Sequence, residues 1–267
     1  MISSTGNQKI KEVVQLQKKS RARRETGLFI AEGLRMAREV PLDRLEKLYV
    51  TEAFYQKHYI EMPEISDRLI EFVTPDVFSH MSDTKTPQGV LAVVRQINCR
   101  EEDIPAREIR GQSPHILILE DVQDPGNLGT MFRTAEAAGV TGILMSRDCV
   151  DIYNPKVVRS TMGAVFRMPF AFAEDLTKTI RSIKQREIRV YAAHLEGKRV
   201  YDEEDYRRGT AFLIGNEGNG LRPETAKCAD AWIKIPMAGK AESLNAAVAA
   251  AVLMFEAGRQ RRQVQVK

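Results

Sequence analysis

The stretch LIGNEGNGLRPE, residues 213–224, places three glycines, two asparagines and Glu217 between the apolar residues Leu213 and Ile214 and the helix-starting Pro223. A glycine cluster directly after an apolar run marks backbone that must take positive φ or approach something closely. A ligand is the first suspect.

Outward from this stretch the sequence alternates regularly. Apolar runs predict strands at 116–119 (ILIL), 142–145 (GILM), near 167–170, at 188–193 (IRVYAA), 211–214 (AFLI) and 231–235 (AWIKI). Between them the spacing predicts helices at about 128–138, 155–164 and 174–186, a short one from Pro223, and a last one from Glu242. Strands alternating with helices give an α/β domain with a parallel sheet covered on both faces. Ligands in such sheets bind beyond the carboxyl ends of the strands, where the glycine-rich loops fall.

The N-terminal part reads differently. Short β-like runs GLFIAEG, RLEKLYV and GVLAVV are separated by helical stretches at 33–40 and 51–58, giving a small α/β domain that ends near Val94. Residues 95–114 are charged, carry Pro105, Gly111 and Pro114, and show no sustained period. The reading is therefore a domain over 1–95, a linker over 96–113 and a second domain over 114–267.

With 267 residues, 43% of them hydrophobic, the chain can build one large core or two modest ones, which excludes disorder as a whole. Forty Lys and Arg against 36 Asp and Glu leave a net charge of only +4, so a nucleic-acid partner has to be argued from where the cations lie. Cys99, Cys149 and Cys228 are odd in number and far apart, which speaks against a disulfide framework and a zinc site and predicts no metal. The first residues hold no apolar signal core, and the longest apolar run, 246–255, is too short for a membrane span. A cytoplasmic protein with no membrane partner is expected.

The cations cluster. KIKEVVQLQKKSRARR, residues 9–24, holds Lys9, Lys11, Lys18, Lys19, Arg21, Arg23 and Arg24 against Glu12 alone, while Ile10, Val13, Val14 and Leu16 have helical spacing. One face can pack while the other meets phosphate, and Lys18, Lys19, Arg21, Arg23 and Arg24 are taken as contacting the phosphates of a nucleic acid.

Three loops of the second domain carry candidate chemistry. In EDVQDPGNLGTMFRTAEAAG, Asn127 sits where a helix N-cap is expected and Gly139 where the helix should stop. Arg133, inside the first two turns of that helix, is poorly placed for the helix dipole and calls for an anionic partner. The second loop is 215–220; the third, IPMAGKAESLNAAVAAAV, brings Glu242, Ser243 and Asn245 to a helix start, where unpaired N–H groups face a ligand. A dinucleotide-binding fold is the obvious test and fails on spacing: GNEGNG reads G-x-x-G-x-G after a late strand, and the first loop has only Gly126 and Gly129.

The segments DPGNLGTMFRTAEAAG, IGNEGNGL and IPMAGKAESLNAAVAAAV resemble, in order, the three motifs of the SpoU (TrmH-like) branch of the SPOUT RNA methyltransferases. KEVVQLQKKSRARRETGLFIAEG and TPQGVLAVV are similar to that family's substrate-binding domain, related to a ribosomal-protein type of RNA-binding fold. One departure is visible: many members have Val-Ser after the last Asn, and this chain has Ala246 and Ala247.

The resemblance implies S-adenosylmethionine as methyl donor, a ribose 2′-hydroxyl of structured RNA as acceptor, a homodimer, and a C-terminal trefoil knot around the cofactor. Catalytic positions carried over are Asn127, Arg133, Glu217 and Asn245, with Arg133 also anchoring RNA phosphate and Glu217 orienting it. Cofactor positions are His194, Leu195, Glu196 and Gly197 in one loop and Ile214, Gly215, Asn216, Gly218 and Gly220 in the next. Ile235, Met237, Ser243, Leu244 and Asn245 complete the set. Having a dedicated RNA-binding domain, the chain is similar to the ribosomal-RNA enzymes more than to the transfer-RNA members. The alternatives are a transfer-RNA methyltransferase or a non-catalytic RNA-binding protein of the same fold.

Overall fold

The structure, a computed structural model, describes residues 1–58, 60, 65–97, 99–107, 111 and 113–264. Parts of the expected linker fall outside the described residues. In chain order the first elements are α1 (Gln8–Lys18), α2 (Ser20–Thr26), β1 (Leu28–Glu32), α3 (Leu34–Glu39), β2 (Leu45–Val50), α4 (Glu52–His58), β3 (Ile70–Phe72), α5 (Pro75–Met81) and β4 (Val90–Arg95). They continue as β5 (His115–Leu119), α6 (Pro125–Ala138), β6 (Gly142–Ser146), α7 (Pro155–Thr161), α8 (Ala164–Arg167), β7 (Phe170–Ala173), α9 (Leu176–Gln185) and β8 (Arg189–Ala193). The last are β9 (Arg199–Val200), β10 (Thr210–Ile214), α10 (Pro223–Ala226), β11 (Ala231–Lys234) and α11 (Ala246–Val264).

These elements form two compact units. The first is Met1–Ile97 together with Asp151–Phe166; the second is Asn98–Val150 with Arg167–Lys267. The 96–113 stretch therefore divides, residues 98–113 counting with the second unit, and a segment far along the chain returns to the first.

The first unit has a four-stranded sheet in the order β1-β4-β2-β3, antiparallel except for the β2/β3 pair. The helical spacing of the 9–24 stretch puts Ile10, Val13 and Leu16 against Ile30, Leu91, Val77 and Phe78 in one core. The stretch is not a single helix: Lys19 is extended (φ −121°) and separates α1 from α2. That break turns Arg23 inward. Its side chain is 3% exposed; Nη2 lies 2.7 Å from Asp151 Oδ2 and Nη1 donates to the carbonyls of Leu16 at 2.6 Å and Gln17 at 3.2 Å. A guanidinium committed to a buried ion pair cannot meet phosphate, so Arg23 leaves the RNA-contacting set, while Lys18, Lys19, Arg21 and Arg24 remain exposed. Tyr153, on the returning segment, stacks at 4.5 Å from Phe29, and its hydroxyl donates to the Ile97 carbonyl at 2.5 Å.

The second unit is built on a seven-stranded sheet in the order β7-β6-β5-β10-β8-β11-β9, every pair parallel. Its central strands β5, β6 and β10 are buried at every residue, as parallel strands covered on both faces must be. One face packs Ile116, Ile118, Leu144, Leu213 and Val190 under α9. α11 packs against α6 and β10. The strand predicted near 167–170 is displaced to Phe170–Ala173, because the helix before it breaks at Met162 and Gly163, both at positive φ, and resumes as α8.

Arg261 near the end of α11 binds four carbonyls: Nε donates to Tyr206, Nη1 to Ser113, and Nη2 to Pro114 and Arg208. It is 7% exposed, and burial lowers its pKa to about 10, so it stays charged near neutrality.

Candidate active site

The chain runs from β5 to β6 on one side and reaches β10 and β8 on the other, so the sheet's order reverses at the β5/β10 pair. Such a reversal opens a crevice beyond the strand ends. The loops after β8, β10 and β11 converge there on a cavity of about 230 Å³. His194, Leu195, Ile214, Gly215, Asn216, Gly218, Gly220, Ile235, Met237, Ser243 and Leu244 of the predicted cofactor set line it. Glu196, Gly197 and Asn245 do not. Gly197 instead packs against β11, where a Cβ would stand 2.6 Å from the Ile233 carbonyl carbon. Glu242, singled out with Ser243 as facing a ligand, also lines it, as do Ala193, Ile233, Lys234, Ala246, Ala249 and Leu253, which were not anticipated. Most are strand-end or helix residues whose side chains read as core in the sequence.

The glycine stretch is bare chiefly because its own backbone closes on itself. Asn216 and Gly220 exchange backbone hydrogen bonds at 3.0 and 2.9 Å, and a Cβ on Gly215 would stand 2.3 Å from the Gly220 carbonyl carbon. The expected positive φ occurs at Gly220 (+67°), not at Gly215. Asn216 Oδ1 accepts from the N–H groups of Gly218 and Asn219, and its Nδ2 donates to the Asp121 carbonyl at 2.8 Å. Asp121, at φ +53°, is in turn held by Ser146 Oγ, which bonds both its N–H and its Oδ1. These buttresses have no sequence signature, since each is a lone polar residue at a strand end.

Three of the four predicted catalytic residues meet. Glu217 Oε1 accepts from Asn127 Nδ2 and from the Asp124 N–H, both at 3.0 Å; Oε2 accepts from the Gln123 N–H at 3.0 Å. Asn245 Nδ2 donates to Asn127 Oδ1 at 2.9 Å. Burial alone would raise the Glu217 pKa, but these hydrogen bonds outweigh it and hold the carboxyl below its ordinary value. A carboxylate so supplied with donors is a scaffold rather than a proton acceptor. The two amides each keep one N–H for an incoming oxygen.

Two helix starts differ from expectation. Asp124, not Asn127, caps α6, its Oδ1 accepting from the Asn127 N–H at 2.8 Å, and Pro125 takes the first helical position. α11 begins at Ala246 rather than Glu242, because Asn245 Oδ1 accepts from the N–H groups of Ala247 and Val248 and so caps it. Glu242 and Ser243 lie in the preceding loop.

Arg133 stands apart. With α6 starting at Pro125, it lies in the third turn; six residues beyond Asn127 place it about 240° around the helix and about 9 Å along it. It is exposed and makes no side-chain hydrogen bond or ion pair among the described residues, Glu217 included. His194 stacks on Trp232 at 4.2 Å, and its Nδ1 accepts from the Glu196 N–H at 3.1 Å, without a carboxylate partner among the described residues.

The cavity suits an adenosyl ligand. Its walls are mostly aliphatic, and Leu195, 69% exposed, offers an uncovered apolar surface at the lining. Glu217 and Glu242 add negative charge at the same lining, appropriate to a cationic sulfonium or amine. Among the described residues no group of three or more His, Cys, Asp or Glu is placed to hold a metal ion, and no helix is long and apolar enough to cross a membrane.

Comparison with known proteins gives the class. The SpoU rRNA Methylase family matches residues 114–255, and the MRM3-like substrate binding domain matches residues 7–92. The chain belongs to the SpoU family of SPOUT methyltransferases. It is 32% identical over 256 residues to the 23S rRNA (guanosine(2553)-2′-O)-methyltransferase RlmP of Bacillus subtilis (strain 168), covering 95% of this chain and 97% of that one. Its fold is similar to that of an AdoMet-bound rRNA methyltransferase from Sinorhizobium meliloti, with TM-score 0.81, 33% identity and 97% of both chains covered. The SpoU methyltransferase AviRb from Streptomyces viridochromogenes, in complex with AdoMet, superposes with TM-score 0.84 at 26% identity over 96% of this chain and 98% of that one.

Proposed function

We propose that the protein transfers a methyl group from S-adenosylmethionine to a ribose 2′-hydroxyl of large-subunit ribosomal RNA. The observation that carries this reading is the junction of the cavity with the Glu217, Asn127 and Asn245 relay: Glu217 lines the cavity and fixes Asn127, which in turn meets Asn245. Among the relatives that match both units, those named for one RNA class are named for 23S rRNA, while two others are named only as tRNA/rRNA methyltransferases; this favours ribosomal over transfer RNA.

The donor supplies an electrophilic methyl on a sulfonium; the chain supplies alignment. The loops at 194–195, 214–220 and 235–244 hold the donor, and the spare N–H groups of Asn127 and Asn245 position the acceptor ribose. Arg133 stays protonated, so its role is to anchor phosphate and polarise the 2′-oxygen rather than to take its proton.

A cytoplasmic homodimer with a trefoil-knotted cofactor loop completes the proposal. Two features support the dimer. Arg133 does not reach the relay within its own chain, and α11 exposes Val248 (48%) and Phe255 (45%), seven residues apart and so on one stripe. Residues 1–95 take the RNA and residues 114–267 the cofactor, except that Asp151–Phe166 belongs with the first unit.

The test is methyl transfer from labelled donor to unmodified transcripts. The expected product is label in 23S transcript that survives alkali as an uncleaved dinucleotide, because a 2′-O-methyl group blocks the hydrolysis. Label appearing only in transfer RNA, or in alkali-labile nucleotides, overturns the reading.

A further inference from the structure

The first unit carries a groove of about 880 Å³ for which the chemistry above has no use. Its walls include Arg35 and Arg38 from α3, Thr84 and Thr86 from the loop after α5, and Arg159 from α7. Arg35 and Arg38 are three residues apart and share a face of α3. Arg35 is exposed and has no side-chain partner among the described residues. Arg159 donates from Nη2 to Asp83 Oδ2 at 2.9 Å, while its Nη1 is buried with no acceptor among the described residues. Nη1 is covered, so an arriving phosphate would meet the 31% of this side chain that stays exposed, which the Asp83 bond holds at the groove wall.

One of the two acids at the lining is committed to structure. Glu32 is 6% exposed and accepts from Ser82 Oγ at 2.5 Å, Thr84 Oγ1 at 2.8 Å and the Asp83 N–H at 3.2 Å, which spends its carboxylate on shaping the loop. That loop presents the Asp83 that fixes Arg159. Glu39 is the other acid at the lining. The groove is thus a built arrangement: a buried carboxylate holds a loop, the loop holds one arginine, and a second helix adds two more.

We propose that this groove binds the phosphodiester backbone of the substrate RNA, with Arg35 and Arg159 each meeting a phosphate. The inference rests on the RNA-methyltransferase reading and deepens it. Guanidinium groups on two separate walls suit successive phosphates of one strand better than a single small anion. The site is also distinct from the Lys18 to Arg24 cluster on α1 and α2. One of its walls, α7, lies inside the sequence matched by the methylase family, so the two matched regions jointly encode it.

The test is the salt dependence of binding to an unmodified 23S rRNA transcript, by fluorescence anisotropy, for the full-length protein and for Arg35→Gln, Arg35→Lys, Arg159→Gln and the double Gln variant. Each lost phosphate contact should flatten the slope of log K against log salt by about 0.7 to 0.9, and the double variant by about twice that. Arg35→Gln should bind roughly tenfold more weakly at low salt, with Arg35→Lys recovering most of the slope. Binding of S-adenosylmethionine, followed by calorimetry, should not change. Arg159→Gln also loses its bond to Asp83; if it does not fold, the Arg35 pair decides. Should the wild type bind and methylate the transcript while Arg35→Gln keeps its affinity and slope, the groove assignment falls and the RNA reading stands. Should the wild type not bind the transcript, both fall.

Discussion

Asn127 Nδ2 donates to Glu217 Oε1 at 3.0 Å across 90 residues of sequence, and the same asparagine accepts from Asn245 on its other atom. One amide therefore ties the starts of two helices to the glycine loop. Asn127→Ala should break both bonds and lower the methyl-transfer rate by about 10- to 100-fold, the equivalent of one or two lost hydrogen bonds. Asn127→Asp should be worse, because it sets a second carboxylate against Glu217. Single-turnover rates at saturating cofactor will check this; Asp performing as well as Asn refutes it.

Gly215→Ala should abolish S-adenosylmethionine binding and cost about 1–3 kcal/mol of stability, since the new methyl meets backbone that has no free volume to yield. Gly218→Ala, whose nearest neighbour would be Asn216 Oδ1 at 3.6 Å, should leave the melting temperature unchanged. Thermal melts and calorimetric titrations separate the two. Equal melting temperatures for both variants would show that the 215–220 turn can open to accommodate a side chain.

Arg133→Ala should eliminate methyl transfer while keeping cofactor affinity, because Arg133 is absent from the cavity lining. If a second copy supplies this side chain, mixing Arg133→Ala with Asn245→Ala protein should restore part of the activity each lacks alone. A mixture as inactive as its components counts against a shared site.

His115 is 1% exposed, edge-on to Phe212 at 5.8 Å, and burial lowers its pKa to about 3 from the ordinary 6.5. Above pH 6.5 it is neutral folded or unfolded. Below that the unfolded chain takes a proton that the folded chain refuses, so stability falls with pH by up to about 1.4 kcal/mol per unit until the folded pKa is reached. Urea unfolding between pH 7.5 and 4.5 should show this slope, and His115→Phe should flatten it.

Arg261→Leu leaves the carbonyls of Ser113, Pro114, Tyr206 and Arg208 without their shared donor, a loss on the order of 3 kcal/mol. Chemical denaturation is the direct measure, and a loss under about 1 kcal/mol would mean water substitutes for the guanidinium.

The parallel sheet was legible because the runs ILIL of β5, GILM of β6 and AFLI of β10 are unbroken and apolar, and the end of α6 because Gly139 stops it, though its start was placed at Asn127 and not at Pro125. The order of the strands was not, since nothing in IRVYAA says that β8 lies between β10 and β11. Asn127, Glu217 and Asn245, which the structure brings into contact, stand in motifs that the sequence displays, whereas Asp121 and Ser146 were invisible because their work is to hold backbone. Arg23 misled for a physical reason: a break at Lys19 rotated one cation of a uniform cluster into the interior. Pattern gives the charge of a helix but not where the helix stops.

The return of Asp151–Phe166 to the first unit has a consequence in time. A ribosome releases residues 1–97 first, yet at that moment Arg23 has no Asp151, Phe29 has no Tyr153, and the Ile97 carbonyl has no hydroxyl to bind. The N-terminal unit therefore cannot reach its final state as an independent early product. It must wait until β5, α6 and β6 of its neighbour have been synthesised, and the two units mature as interleaved rather than successive folding events.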